Sequence, residues 1–193
     1  LGVGFPGDLW PAEQATLDAV AIQATLAELR ALGAGAVAMG VPPGALHWGR
    51  VAAVRFSHAL LTHLTRRSGE EPGDLDARGA TRRHLFSRPA LRWIVLNLDD
   101  PNQAEVLAEL GPAVGVAAYA LDPKATLPKR CDLWVRARAV RPGDQGLEIE
   151  IDSSLGTGTL VAGLIGTFNA GNLLAVLAVL LSGTSLTELI DVT

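Results

Sequence analysis

The chain has almost no sulfur chemistry: Cys131 is its single cysteine in 193 residues. That count excludes an internal disulfide and any multi-cysteine metal site, and a reducing cytoplasm is the simplest setting for it. Aromatic residues are scarce at 5%, with one tyrosine, and charged residues make up only 19%. The 16 basic and 20 acidic side chains leave a net charge of −4. Basic residues gather in pairs such as Arg66-Arg67 and Arg82-Arg83 rather than in a stripe, so no nucleic acid is expected as partner. Long apolar runs are missing too. The longest, residues 173–181, is far too short to span a bilayer, and no charged leader followed by an apolar stretch opens the chain, so no membrane is expected. The chain starts at Leu1 without a methionine, as a piece of a longer or processed protein would.

What is present is 49% hydrophobic residues, 21 Gly and 11 Pro, the composition of one loop-rich globular domain. Spacing predicts a helix from Pro11 to Leu32, with Leu17, Ala21, Leu29 and Leu32 near one face and Gly33 as its stop. The apolar run Ala36 to Val41 reads as a strand covered on both faces. A brief amphipathic piece over 51–54 precedes a strand over 59–64. A polar loop over 66–76 and a helix over 76–86 capped by Asp76 follow. A central strand over 92–98, a helix over 102–110 and a strand over 114–119 complete the pattern of an α/β fold, a mostly parallel sheet flanked by helices. Residues 133–140, 147–151 and 159–165 alternate polar and apolar between Gly-rich turns, which predicts a smaller antiparallel sheet. A helix follows Asn169 and another covers 185–191. The expected organisation is a single domain over 1–193: a parallel α/β part over 1–125, antiparallel strands over 130–166 and closing helices over 168–193.

In open parallel sheets ligands gather beyond the carboxyl ends of the strands. The loop over 40–50 carries no carboxylate or hydroxyl. Its His47 reads as a packing or surface residue, and Arg50 is the side chain suited to grip a carboxylate or phosphate in a fork, with a solvated arginine as the alternative. Glu70 and Glu71 lie in a charged loop that solvation explains equally well. Asn97-Leu98-Asp99-Asp100-Pro101 places two carboxylates at a strand end, where they orient a ribose or cap the next helix. No Gly-x-x-x-x-Gly-Lys-Ser/Thr loop occurs; Gly156-Thr157-Gly158-Thr159 lacks the lysine and leads into a strand. The segment over 164–178 is the most specific. Its Asn169 and Asn172 have amides that both donate and accept, so one can read a base edge while the other ties the loop to the helix start; two capping asparagines are the alternative.

Taken in order, these segments resemble the central domain of the Mur ligases, most closely the branch that adds the third residue to UDP-N-acetylmuramoyl-dipeptide. Gly2 to Gly7 is similar to the stretch after that family's P-loop. Ala38-Met39-Gly40-Val41 through Arg50 is similar to its Ala-Met-Glu-Val-Ser-Ser segment, and Thr62-His63-Leu64-Thr65-Arg66 to its Thr-Asn-Leu-Ser/Thr-Arg. Asn97 to Asp100 is similar to its Asn-Ala-Asp-Asp, and Gly166 to Asn172 to its Gly-x-Phe-Asn-x-x-Asn. The resemblance implies a P-loop-like fold with an added antiparallel sheet, ATP and Mg²⁺ as cofactors, and ligation through an acyl-phosphate. It implies that Asn169 and Asn172 lie near adenine. It puts Thr16 and Asp18, in a Thr16-Leu17-Asp18 element where the family has Thr-Pro-Asp, and Arg50 on the substrate side.

The departures carry as much information. Gly40 stands at the family's metal-binding Glu, and Pro42 and Pro43 at its serines. His63 replaces the motif's Asn, Arg67 and Ser68 replace its Asp and His, and Arg82 falls at the lysine whose carbamate holds a second Mg²⁺, a modification a guanidinium cannot take. These changes speak against ATP and Mg²⁺ binding by this chain, so no residue is assigned a catalytic or metal-binding role. Expected partners are a UDP-muramoyl peptide or a cell-wall ligase, and the expected location is the cytoplasm. Two readings stay open: a catalytically degenerate ligase domain, or a non-enzymatic interaction or nucleotide-binding module on the same fold.

Overall fold

The computed structural model describes residues 2–11, 17–62 and 85–183. The described residues up to Arg55 form one compact unit and, Leu85 aside, those from Phe56 onward form the other.

In the first unit β1 (Gly2–Phe5) and β2 (Asp8–Pro11) make an antiparallel hairpin. Helix α1 spans Ala19–Ala31, shorter than the predicted helix from Pro11. Pro11 closes β2 instead, and the helix starts where Asp18 Oδ1 accepts the Val20 and Ala21 N–H groups at 2.9 Å, satisfying donors that no helical carbonyl reaches. Gly33, at φ +97°, follows its last turn as expected. The strand predicted over 36–41 does not form. Those residues carry no regular structure, Val37 is 48% exposed, and the described sheet of this unit is the β1–β2 hairpin, which offers the run no ladder partner. A short helix α2 (Pro43–His47) follows, with proline in its first turn, where a missing N–H costs nothing. Residues 51–53 are a turn, anchored by buried Val51.

The second unit is built on one six-stranded sheet in the order β3-β4-β5-β6-β7-β8. The strands are β3 (His58–Leu61), β4 (Trp93–Asn97), β5 (Gly115–Ala120), β6 (Leu133–Gly143), β7 (Gly146–Ser153) and β8 (Gly156–Ala162). The first four run parallel, and β6, β7 and β8 pair antiparallel. The mixed parallel and antiparallel sheet agrees with the α/β expectation, with the antiparallel strands continuing the parallel ones through β6. Residue choice explains the division. Ile94, Val95 and Leu96 are fully buried in succession, as a strand covered on both faces requires. In β6 and β7, Leu133, Val135, Ala137, Leu147, Ile149 and Ile151 turn inward while Arg136, Glu148, Glu150 and Asp152 alternate outward. Arg141 pairs there with Glu148 at 3.0 Å and Glu150 at 2.6 Å across the strands. Gly146, at φ +126°, opens β7 where a Cβ would strike the Ala162 carbonyl.

Two helices complete this unit as described, α3 (Gln103–Glu109) and α4 (Phe168–Gly183). The core is the sheet face under α4, where Ala170, Leu174, Ala175 and Ala178 pack with Val95, Ala117, Tyr119, Val135 and Ile149. Alanines on that stripe let the helix axis lie close to the strands. The helix predicted over 185–191, and the loop and helix predicted over 66–84, lie outside the described residues.

Candidate functional site

Asn97 and Asp100 are the buried polar residues among those described, 8% and 3% exposed, and both sit at the carboxyl end of β4. Buried polar groups need partners, and theirs define the local structure. The Asn97 Nδ2 donates to the Thr62 carbonyl beyond β3 at 2.8 Å, and its Oδ1 accepts the Asp99 N–H at 3.0 Å. Asp100 Oδ1 accepts from the backbone and side-chain amides of Asn102 at 2.9 and 3.1 Å. The sequence offered Asp99 as a ribose ligand or helix cap. Instead it reaches across to β5: Oδ2 accepts the Leu121 N–H at 2.7 Å and Oδ1 the Asp122 N–H at 3.1 Å. Asp100 is the one that bonds locally, to Asn102 just before α3, and no side-chain capping bond is made to the helix. The four residues 97–100 thus tie together the carboxyl ends of β3, β4 and β5, a role for which pairing across strands, invisible in one sequence, is required.

The start of α4 adjoins this clamp. A Cβ on Gly171 would lie 3.5 Å from Leu121 Cδ1, so the side chain just past β5 touches the first turn of the helix. In that turn Asn169 Nδ2 donates to the Ile165 carbonyl at 2.8 Å, and Asn172 Nδ2 donates to Asn169 Oδ1 at 3.2 Å. Asn169 therefore ties the loop to the helix through its amide nitrogen, and its oxygen takes the other asparagine rather than a backbone N–H. Asn172 is exposed and keeps its Oδ1 and one N–H uncommitted, a donor and acceptor side by side. Phe168, 71% exposed, lays its ring against Gly166, whose φ of +93° and missing Cβ make the close approach possible. Beneath α4, Tyr119 is 3% exposed, and burial together with the charges of Asp99 and Asp100 pushes its phenol up to about 12.

The structure brings Asn169 and Asn172 together; of the other predicted site residues, Thr16 lies outside the described residues, Asp18 caps α1 and Arg50 belongs to the first unit. Arg50 is half-buried just after α2, its backbone N–H donating to the Ala45 carbonyl at 2.9 Å. Gly40 is exposed with open space where a Cβ would be, and Pro42 and Pro43 lead into α2, so these three contribute no side-chain oxygen to a cation. His63, Arg67, Ser68 and Arg82 lie outside the described residues. No group of three or more His, Cys, Asp or Glu is gathered as metal ligands among the described residues. At positions 40, 42 and 43, therefore, the side chains do not fit the Mg²⁺ site that the resemblance implies. Glycine and proline side chains supply none of the hard oxygen donors the ion demands.

The opposite, amino-terminal edge of the sheet holds an open hollow of about 490 Å³ lined by Arg92, Trp93, Arg130 and Asp132 among others. Two of its charges are spent on the fold: Arg130 donates to the Leu110, Gly111 and Val114 carbonyls, and Asp132 accepts the Val116 N–H at 2.8 Å. Nearby, burial lowers His58, with the Ser182 backbone opposing and Arg92 adding to the shift. No helix among the described residues is long and apolar enough to cross a membrane.

Known proteins bear on this arrangement. The profile of the Mur ligase middle domain matches residues 2–180. A UDP-N-acetylmuramoyl-L-alanyl-D-glutamate–2,6-diaminopimelate ligase from Alkalilimnicola ehrlichii is 39% identical over 194 aligned residues, covering 99% of this chain and 37% of that protein. The ligase of the same description from Pseudomonas aeruginosa is 38% identical over 94% of the chain and 36% of its own length. A solved structure of a ligase of that description superposes with a TM-score of 0.73 at 23% identity, over 91% of this chain and 35% of that one, a likeness of fold. The chain thus spans a little over a third of the curated relatives it matches.

Proposed function

The chain belongs to the Mur ligase family, as a middle domain, and from that membership we propose that it derives from the ligase adding the third residue to UDP-N-acetylmuramoyl-dipeptide and does not by itself catalyse that ligation. The observation that carries this reading is the run Gly40-Val41-Pro42-Pro43 at the place of the family's Glu-Val-Ser-Ser. A phosphoryl transfer to the substrate carboxylate relies on a divalent ion to neutralise the γ-phosphate, and positioning plus charge stabilisation is nearly all that such a site contributes. Two prolines and a glycine replace oxygen donors there with none. What is retained is the helix start for a base edge: Asn172 offers a donor and acceptor, Asn169 holds it, and exposed Phe168 gives a flat apolar face.

The reading has a direct test. The chain, mixed with ATP, Mg²⁺, UDP-muramoyl-dipeptide and diaminopimelate, is expected to release phosphate no faster than a protein-free control. Release above that background overturns the loss of catalysis. Calorimetry with ATP addresses the retained corner: weak binding that disappears in Asn169→Ala supports it. Absence of binding to the unsubstituted chain overturns it and leaves an interaction module on the same fold.

A further inference from the structure

The carboxylate of Asp99 is exposed, yet both its oxygens are committed to backbone N–H groups of one short segment, Leu121 and Asp122, beyond the neighbouring strand. Charge-assisted bonds of this kind fix a loop far better than neutral ones. The segment held in this way is not idle. Leu121 is partly buried against the core cluster that contains Ala170 and Leu174, and its Cδ1 faces Gly171. Gly171 sits between Asn169 and Asn172, whose side chains are bonded to each other. A continuous line of contacts therefore runs from the acidic loop after β4 to the two asparagines: carboxylate to amide, leucine to helix backbone, asparagine to asparagine.

We infer that Asp99 is a positioning residue for the first turn of α4, setting through Leu121 the placement of the Asn169–Asn172 pair. The inference rests on the nucleotide reading above for its functional consequence, and on its own geometry for the coupling. Asp99 accepts with both oxygens, so Asp99→Asn keeps one acceptor and turns an amide NH₂ toward the other N–H. The loop then loses one of its two ties while packing volume is preserved. Leu121→Ala cuts the same line one step further on and leaves the carboxylate intact.

The experiment uses the full chain, isotope-labelled, with the amide resonances of Leu121, Asp122, Gly171 and Asn172 followed by NMR. Asp99→Asn and Leu121→Ala are each expected to shift Gly171 and Asn172. The double variant is expected to shift them no further than Leu121→Ala alone, the non-additivity of residues acting in one line. A purely local role for Asp99 moves Leu121 and Asp122 and leaves Gly171 and Asn172 in place, and that result overturns the inference, as does additivity in the double variant. In the same samples ATP is titrated, and Asp99→Asn is expected to bind about tenfold more weakly, the change that about 1.4 kcal/mol produces. If the unsubstituted chain binds no ATP, the nucleotide reading falls while the resonances still decide the coupling.

Discussion

Tyr119 is the chain's one tyrosine, so its ionisation can be followed in isolation. Burial under α4 and the nearby carboxylates of Asp99 and Asp100 raise it from 10.0 to about 12. The folded state then holds its phenolic proton at a pH where the unfolded chain has released it. The corresponding stabilisation is complete below about pH 10 and is lost as pH rises through about 12. An absorbance titration of tyrosinate should show a midpoint well above that of a free tyrosine, and Tyr119→Phe should flatten the stability curve over that window. A midpoint near 10 would mean that the phenol is not held between core and carboxylates. At this scale the sequence was legible where a residue's chemistry acts on its own chain neighbours. The asparagine pair is of that kind; the Asp18 cap is just as local but was not read from the sequence, which began the helix at Pro11 and put Asp18 in a substrate-facing element by resemblance. It was not legible for Asp99, whose partners are 22 and 23 residues away.

Elements sort by the same rule of local against distant information. Strands β4 to β8 and helices α3 and α4 lie within a few residues of where periodicity puts them, because a fully apolar run, an alternating run and a long apolar helix each have a pattern that burial enforces. The run over 36–41 has the apolar pattern without the neighbour, and a strand without a ladder leaves its N–H and C=O groups to water. Hydrophobicity marks a segment as suited to a sheet but does not supply the edge. Helix α4 is the opposite case, since its packing partners are present on the strands below it. Leu174, wholly buried at the centre of that contact, should cost about 2–5 kcal/mol when cut to alanine. Urea denaturation measures this. A loss below about 1 kcal/mol would mean that the helix does not depend on the sheet for its stability.

At the scale of the whole molecule, family membership and the division into two units answer different questions. The middle-domain profile runs across both units, over residues 2–180, whereas the described side chains of the cluster under α4 all come from the second unit. Its six strands come from residues beyond Phe56, and the cluster under α4 draws its side chains from strands β4 to β7 and from that helix. None of those side chains lies in the first unit, whose described buried apolar residues are Ile22, Leu29, Ala45 and Val51. Cooperative unfolding requires one continuous core rather than a full family-length chain. A fragment spanning residues 56–193, which carries the second unit together with residues 71–85 of the first, is therefore expected to keep the far-UV signature of a mixed α/β fold and to unfold in a single transition that fluorescence and circular dichroism report at the same midpoint. Trp93 and Trp134 lie on β4 and β6, so fluorescence reports on the sheet itself. Separate midpoints, or a melt without a transition, would show that the sheet needs the preceding residues to close its core. The Asn169–Asn172 corner would then have to be studied only in longer chains.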